Sequence, residues 1–119
     1  MLTFHDVTKE FRLDAENTIT PVRNVSLQVE RGEFIVIIGR SGTGKTTLLN
    51  LAAGLVKPTS GQVLIDDEDL AKMTDRQISS LRSHKIGFVF QFPSLLPALT
   101  ILDNVSLPAI FKNGDGDKV

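Results

Sequence analysis

Residues 39–47 read GRSGTGKTT and combine three glycines, one lysine and three threonines. They satisfy the pattern G-x-x-x-x-G-K-[ST], whose fixed positions are held by Gly39, Gly44, Lys45 and Thr46. An apolar run, Phe34–Ile38, precedes the stretch, and strong helix formers follow it. A glycine-rich turn between a strand and a helix is the context in which this pattern binds phosphate.

The spacing suits a loop that holds the phosphates of a nucleotide. Several backbone N–H groups must converge on one anion, and glycines allow the chain to curl that tightly. The helix that begins near Lys45 adds the positive end of its dipole. Lys45 supplies charge for the β- and γ-phosphates, the Thr46 hydroxyl can ligate Mg²⁺, and Thr47 is placed towards the α-phosphate. We therefore expect a nucleotide ligand at Gly39, Ser41, Gly42, Thr43, Gly44, Lys45, Thr46 and Thr47.

Composition is that of one ordinary globular domain. The chain has 119 residues, 41% of them hydrophobic, and a formal charge of −1 at pH 7. This balance gives no general attraction for anionic lipid and predicts no nucleic-acid partner. The absence of cysteine excludes disulfides and thiol catalysis. No apolar run approaches the ~18 residues that span a bilayer, so we expect a cytoplasmic protein that reaches a membrane through a partner.

Strand and helix patterns alternate along the chain, which indicates an α/β fold. Short alternating segments are typical of half-buried strands, and uninterrupted β-branched runs are typical of strands covered on both faces in a parallel sheet. Strands are predicted near 2–7, 25–29, 34–38, 62–66 and 86–90, with a loop over 12–20.

Caps and helix-forming residues predict the helices. The helices are predicted at 45–53, from Thr74, and from Thr100 towards Pro108. Gly54 is placed to end the first helix, while Gln77 and Asp103 complete capping patterns at the start of the other two. The final segment, 112–119, is rich in glycine and charge and is expected to be disordered.

Residues 2–110 resemble the N-terminal half of the ATP-binding subunits of ATP-binding-cassette (ABC) transporters, particularly the lipoprotein-release and macrolide-export type. Three stretches carry the resemblance: VSLQVERGEFIVIIGRSGTGKTTLLNLAAGLVKPTSGQV, KIGFVFQ and LLPALTILDNVSLP. The resemblance implies a P-loop NTPase core, with a parallel sheet and flanking helices, joined to an antiparallel β-subdomain. Residues 1–111 would then be the N-terminal part of an ATPase domain that is incomplete in this chain.

The resemblance also implies roles for residues outside the loop. Gln91 matches a glutamine that approaches Mg²⁺ and the attacked phosphate, so it joins Lys45 as a catalytic candidate and Thr46 as a metal ligand. Phe11 stands where the family has an aromatic residue that stacks on adenine. The residues alone leave simpler interpretations open, since Gln91 can be the polar end of a buried strand and Phe11 a core residue.

The segment Phe92–Leu99 looks like the family's surface for a transmembrane permease subunit. Three leucines in it are candidate apolar anchors: Leu95, Leu96 and Leu99. From the residues alone, packing of these leucines into the protein's own core is an equal alternative.

Other motifs of the family's hydrolytic machinery are not found. The chain contains no Ser-Gly-Gly, no apolar strand ending in Asp-Glu after Gln91, and no later switch histidine. The acidic run at 66–69 imitates a Mg²⁺-binding strand end, but we assign it to a turn of the antiparallel subdomain, with Asp67 where the family commonly has glycine. We expect a nucleotide cradle without its catalytic base, and exposed sheet edges and apolar faces.

Three classes of function remain open at this point. The first is an ATPase subunit that dimerises when complete, binds Mg·ATP and powers a membrane permease from the cytoplasmic face of the cell membrane. The second is a non-catalytic module that binds nucleotide or the permease. The third is a small P-loop kinase or GTPase, although the guanine-reading Asn-Lys-x-Asp is absent.

Overall fold

A four-stranded antiparallel sheet forms the first part of the computed structural model, which describes residues 1–113. Its strands lie in the order β2-β1-β3-β4. The strands are β1 Leu2–Arg12, β2 Thr18–Val29, β3 Ser60–Ile65 and β4 Glu68–Asp69. The sheet belongs to a unit that spans Met1–Met73, and a second unit begins at Thr74. The predicted antiparallel β-subdomain is confirmed.

The first two strands are longer than predicted, and the loop expected over 12–20 is wrong at both ends. β1 continues through Phe11, which pairs with Ile19 in β2. The pairing of the two strands is irregular, and both Asp6 and Asn24 have positive φ angles. Such bulges break the period of two along a strand, which is why alternation alone located only parts of β1 and β2.

The core of the first unit combines side chains of the sheet with those of helices. Its buried apolar residues come from β1, β2 and β3, from the helix α1, Lys45–Ala52, with Ala53 just after it, and from Leu70. The largest fully buried side chains are Phe4, Val7, Leu51 and Val63. Burial of these apolar surfaces is the main contribution that stabilises the unit.

A two-residue turn joins β3 to β4. Asp66 and Asp67 have φ angles of 50° and 66°, as a type I′ hairpin turn requires. The Asp66 carboxylate accepts a hydrogen bond from the Met1 ammonium at 2.9 Å. Asp69 begins a short 3-10 helix, Leu70–Lys72, and accepts from the backbone N–H of Ala71. The turn prediction is confirmed for 66–67, whereas 68–69 form β4.

Two predicted strands, 34–38 and 86–90, are wrong for the part of the chain that the structure describes. Neither segment belongs to a ladder. Phe34 is 90% exposed and Val89 is 95% exposed. A buried parallel strand needs neighbours that satisfy its backbone and cover both faces, and such neighbours are not present among residues 1–113. The expected apolar exposure of an incomplete sheet is confirmed.

The helix predictions hold closely because their signals are local. α1 ends at Ala52, one residue earlier than predicted, and Gly54 and Leu55 donate to Leu51 and Asn50 in a Schellman motif. α2 spans Asp75–Lys85 behind a complete Thr74/Gln77 capping box.

The last helix is longer than predicted. α3 spans Ile101–Asn113 and continues through Pro108, where the helix was expected to stop. Thr100 and Asp103 exchange hydrogen bonds at its start, which confirms the predicted cap. The helix also includes the first two residues of the segment expected to be disordered, and the remainder, 114–119, lies outside the described residues.

Candidate functional site

The glycine-rich loop passes directly into α1. Gly42 and Gly44 have φ angles of 78° and 93°, which are strained for residues with a Cβ. The left-handed conformations of these two glycines turn the backbone sharply, and helix α1 begins directly afterwards, at Lys45. The loop therefore has the tight curl that the phosphate-binding pattern predicts.

A close approach between Gly44 and β2 anchors the loop to the sheet. A Cβ placed on Gly44 would lie 2.1 Å from the carbonyl oxygen of Pro21. Only glycine can occupy such a position without moving one of the two backbones. Pro21 was not among the sequence candidates, because no local pattern connects residues 23 positions apart in the chain.

The Lys45 side chain folds back over the loop that precedes it. Its Nζ atom donates to the carbonyl oxygens of Gly39 at 2.8 Å and Arg40 at 2.5 Å. It also lies 3.4 Å from Oγ1 of Thr43, whose hydroxyl donates to the Arg40 carbonyl at 2.8 Å. The ammonium group is thus held on the loop, where it can meet an anion.

The N-terminus of α1 is open to an anion. Its cap, Gly44, has no side chain to accept from the first-turn N–H groups, and no acidic residue lies in that turn. These N–H groups and the helix dipole favour negative charge. Thr46 is exposed, and its hydroxyl oxygen is a type of ligand that Mg²⁺ accepts. The residues present fit a polyphosphate with its metal ion.

Phe11 lies in the same unit as the loop. Its strand partner Ile19 precedes Pro21 by two residues, so the sheet register brings Phe11 towards the part of β2 that contacts Gly44. The ring is half-buried, and the Nζ atom of Lys9 lies 4.9 Å from the ring centroid. A half-exposed aromatic ring can still offer surface for stacking.

Gln91 lies in the second unit, at a bend that follows the extended segment 86–90. The rings of Phe88 and Phe90 in this segment contact each other, with centroids 4.7 Å apart. The Gln91 side chain is exposed, so it is not the polar end of a buried strand. Its role beside a nucleotide stays a prediction.

The segment Phe92–Leu99 is exposed along its whole length. Phe92 and Leu95 expose 78% and 71% of their surface, and Leu96 is also exposed. Within the described residues, these side chains do not pack into a core of this chain. The alternative interpretation of the leucines as core residues is therefore wrong for this structure.

Asn104 is a residue that the sequence candidates did not include. Its Oδ1 atom accepts from the N–H of Leu96 at 2.8 Å. Its Nδ2 atom lies 2.9–3.3 Å from three carbonyl oxygens, those of Leu96, Leu99 and Thr100. Hydrogen bonds of one amide side chain thus link the end of the exposed segment to the start of α3. The only sequence signal for this role is an asparagine in the first turn of a predicted helix.

Comparisons with known proteins agree with these features. Residues 22–118 match the ABC transporter family. The chain belongs to this family. Its relatives include the lipoprotein-releasing system ATP-binding protein LolD 1 of Chlorobium chlorochromatii, 43% identical over 110 residues, which cover 92% of this chain and 45% of LolD 1. The macrolide export ATP-binding/permease protein MacB of Mannheimia succiniciproducens is 47% identical over 98 residues, 82% of this chain and 15% of MacB.

A solved ABC cassette from Methanocaldococcus jannaschii has the same fold. That structure is a dimer in a post-hydrolysis state bound to ADP and Pi. It superposes with a TM-score of 0.89 at 43% identity, covering 100% of this chain and 50% of the cassette. The resemblance and the P-loop fold class are therefore confirmed, and the chain spans about half the length of the cassette. Within residues 1–113, no helix of this family member is long and apolar enough to cross a bilayer.

Proposed function

We propose that this chain is part of the ATP-binding subunit of an ABC transporter, which binds Mg·ATP through residues 39–47 and powers a membrane permease. The observation that carries the proposal is the anchored loop, in which Gly44 lies against Pro21 and Lys45 is folded over the carbonyls of Gly39 and Arg40. Residues 1–111 would form the N-terminal part of the ATPase domain.

The loop residues bind and orient the phosphates. Backbone N–H groups of the loop and of the first turn of α1 donate to phosphate oxygens, because the glycine cap leaves them available. Lys45 adds a positive charge, and the Thr46 hydroxyl would ligate Mg²⁺. Gln91, in the second unit, stays a candidate for the catalytic and metal-binding roles that the family resemblance implies. The metal ion, when bound, would offset charge on the β- and γ-phosphates.

Phe11 would provide a stacking surface for the adenine ring. Phenylalanine keeps the aromatic face that stacking needs and has no hydroxyl group. Its position on β1, opposite Ile19 and close in register to Pro21, supports this role. The Lys9 ammonium lies over one face of the same ring.

The exposed segment Phe92–Leu99 would receive the permease subunit. Large apolar side chains that face solvent mark interaction surfaces, and this segment has Phe92, Leu95 and Leu96 in that state. The relatives named for lipoprotein release and macrolide export support a transporter of that type. The complete subunit would act as a homodimer on the cytoplasmic face of the cell (inner) membrane.

A second candidate, binding without turnover, follows from the motifs. Transfer of a phosphoryl group to water requires a residue that positions and activates the water. The 119-residue sequence contains no apolar strand ending in Asp-Glu after Gln91 and no Ser-Gly-Gly. ATP hydrolysis would then belong to the complete subunit, while this chain by itself binds the nucleotide.

The test is calorimetric titration of the full chain with Mg·ATP, with phosphate release measured in the same samples. We expect saturable binding that Lys45→Ala abolishes and that Lys57→Ala, a change at an exposed lysine outside the loop, leaves intact. Equal loss in both variants would assign the effect to net charge and contradict the proposed site. Phosphate release that depends on Lys45 would favour the ATPase over the binding module.

A further inference from the structure

The Thr43 side chain lies close to three other residues of the loop: Gly39, Arg40 and Lys45. Its Oγ1 atom is 2.8 Å from the Arg40 carbonyl oxygen and 3.4 Å from the Lys45 ammonium. A Cβ placed on Gly39 would lie 2.9 Å from the Oγ1 atom of Thr43. The hydroxyl of Thr43, the fifth residue of the loop, therefore connects the middle of the loop to its first two residues.

The hydrogen bonds of Lys45 show why this hydroxyl matters. An ammonium group has three N–H donors, and here three oxygens surround it. Two are the carbonyls of Gly39 and Arg40, at 2.8 Å and 2.5 Å. The third is Thr43 Oγ1 at 3.4 Å, which is near the limit of a hydrogen bond. Of the three, the bond to Thr43 is the weakest and the first that another acceptor would replace.

The Thr43 hydroxyl has only one proton to donate, and the Arg40 carbonyl receives it. The oxygen therefore faces Lys45 with a lone pair. The Thr43 hydroxyl thus holds the Arg40 carbonyl in place through its proton. Its oxygen accepts only a weak hydrogen bond from the third N–H of the Lys45 ammonium. A phosphate oxygen can take that donor without breaking the two shorter bonds.

We propose that Thr43 is a positioning residue for the phosphate-binding lysine. Its hydroxyl closes the loop through the Arg40 carbonyl and gives the Lys45 ammonium a weak third acceptor, which a β- or γ-phosphate oxygen replaces when a nucleotide binds. The inference rests on the proposed function, because it assumes that the loop binds Mg·ATP. It adds a side-chain role to a position that the loop pattern itself leaves free.

The test compares Thr43→Ala, which removes the hydroxyl, with Thr43→Ser, which keeps it. Alanine avoids the methyl group that valine would place against the Arg40 carbonyl. Loss of the loop-closing hydrogen bond is expected to weaken Mg·ATP binding about five-fold, and serine should restore the affinity. Because Thr43 is exposed, the unfolding midpoint of both variants should stay close to that of the wild type.

A second measurement examines Lys45 in the absence of nucleotide. The ¹⁵N NMR signal of a lysine ammonium survives exchange with water only while its protons are held. We expect a signal that is assigned by its loss in Lys45→Ala, that broadens in Thr43→Ala, and that returns in Thr43→Ser. This readout reports the position of the lysine and does not require any activity.

The outcomes distinguish a failure of this inference from a failure of the proposed function. Unchanged affinity in Thr43→Ala would overturn this inference and leave the proposed function standing. Equal weakening by alanine and serine, or weakening with an unaltered Lys45 signal, would also overturn it, because the hydroxyl would not act through the lysine. A wild-type chain that does not bind Mg·ATP would overturn the proposed function, and the inference with it.

Discussion

The carbonyl oxygen of Pro21 lies 2.1 Å from the point that a Cβ atom on Gly44 would occupy. Gly44 also has a φ angle of 93°, so both space and backbone conformation require glycine there. Gly42 is a matched control in the same loop, since its φ angle is 78° and its Cβ would meet nothing within 4 Å.

We expect Gly44→Ala to lower the free energy of unfolding by more than ~2 kcal/mol and to abolish Mg·ATP binding, because the loop must leave β2. Gly42→Ala should cost about 1 kcal/mol, from the left-handed conformation alone. Urea unfolding and calorimetry would measure the two effects. Equal losses in both variants would mean that the contact with Pro21 does not anchor the loop.

Two phenylalanines test which apolar surfaces are buried. Phe4 is 2% exposed and Phe34 is 90% exposed. Phe4→Ala should lower the free energy of unfolding by about 3–5 kcal/mol, whereas Phe34→Ala should change it by less than about 0.5 kcal/mol. Urea unfolding of the two variants makes the comparison. A large loss from Phe34→Ala would show that residues 34–38 are packed after all.

The loop between β1 and β2 should respond to acid. The pKa of Asp14 lies below its ordinary value of 3.8, because the Asn17 side chain and then the backbone N–H groups of Glu16 and Asn17 donate to the carboxylate. A lowered pKa means that the carboxylate stabilises the folded loop at pH values above 3.8, and that this contribution is lost as the pH falls through the folded-state pKa.

Carbon-13 NMR titration of the Asp14 carboxyl would measure this pKa. Asn17→Ala should raise the pKa towards 3.8, since it removes the largest cause of the shift. Glu16→Gln should leave the pKa of Asp14 where it is, because Glu16 acts through its backbone N–H. A shift caused by Glu16→Gln would point to charge repulsion and not to hydrogen bonding.

Asn104 should hold the end of the exposed segment. Asn104→Ala removes the acceptor for the Leu96 N–H and the donor to the carbonyls of Leu99 and Thr100. We expect the Leu96 amide to exchange about five-fold faster with solvent, which matches the loss of one net hydrogen bond.

Asn104→Asp is a second variant, because it keeps an acceptor but replaces the Nδ2 donor with an oxygen that faces the carbonyls of Leu96, Leu99 and Thr100. Repulsion between these oxygens should also speed the exchange of the Leu96 amide, as hydrogen-exchange NMR would show. Equally fast exchange in the wild type and in Asn104→Ala would indicate that the bond to Leu96 does not persist in solution.

The features that were predictable from sequence depend on residues close together in the chain. The caps at Thr74 and Thr100 each need a partner three residues away, and both were found. The turn at Asp66 and Asp67 also forms within a few residues. Helix α1 follows its glycine-rich loop as predicted, because a glycine cap and strong helix formers act over a single turn.

The remaining features depend on contacts between distant segments. Strands β1 and β2 continue across bulges in their pairing, and these bulges interrupt the alternation on which the strand predictions depended. The run at 34–38 has the composition of a buried strand, but composition does not supply the neighbours that pair with it.

By itself, the sequence determined the position of the glycine-rich loop, the helix starts and the family resemblance, since these reside in short ordered patterns. Only the tertiary structure decided that Pro21 anchors Gly44, that Asn104 fastens the exposed segment, and that the Thr43 hydroxyl faces the Lys45 ammonium. Close approach and hydrogen-bond geometry depend on where the folded backbone places its atoms, and residue types alone do not specify those positions.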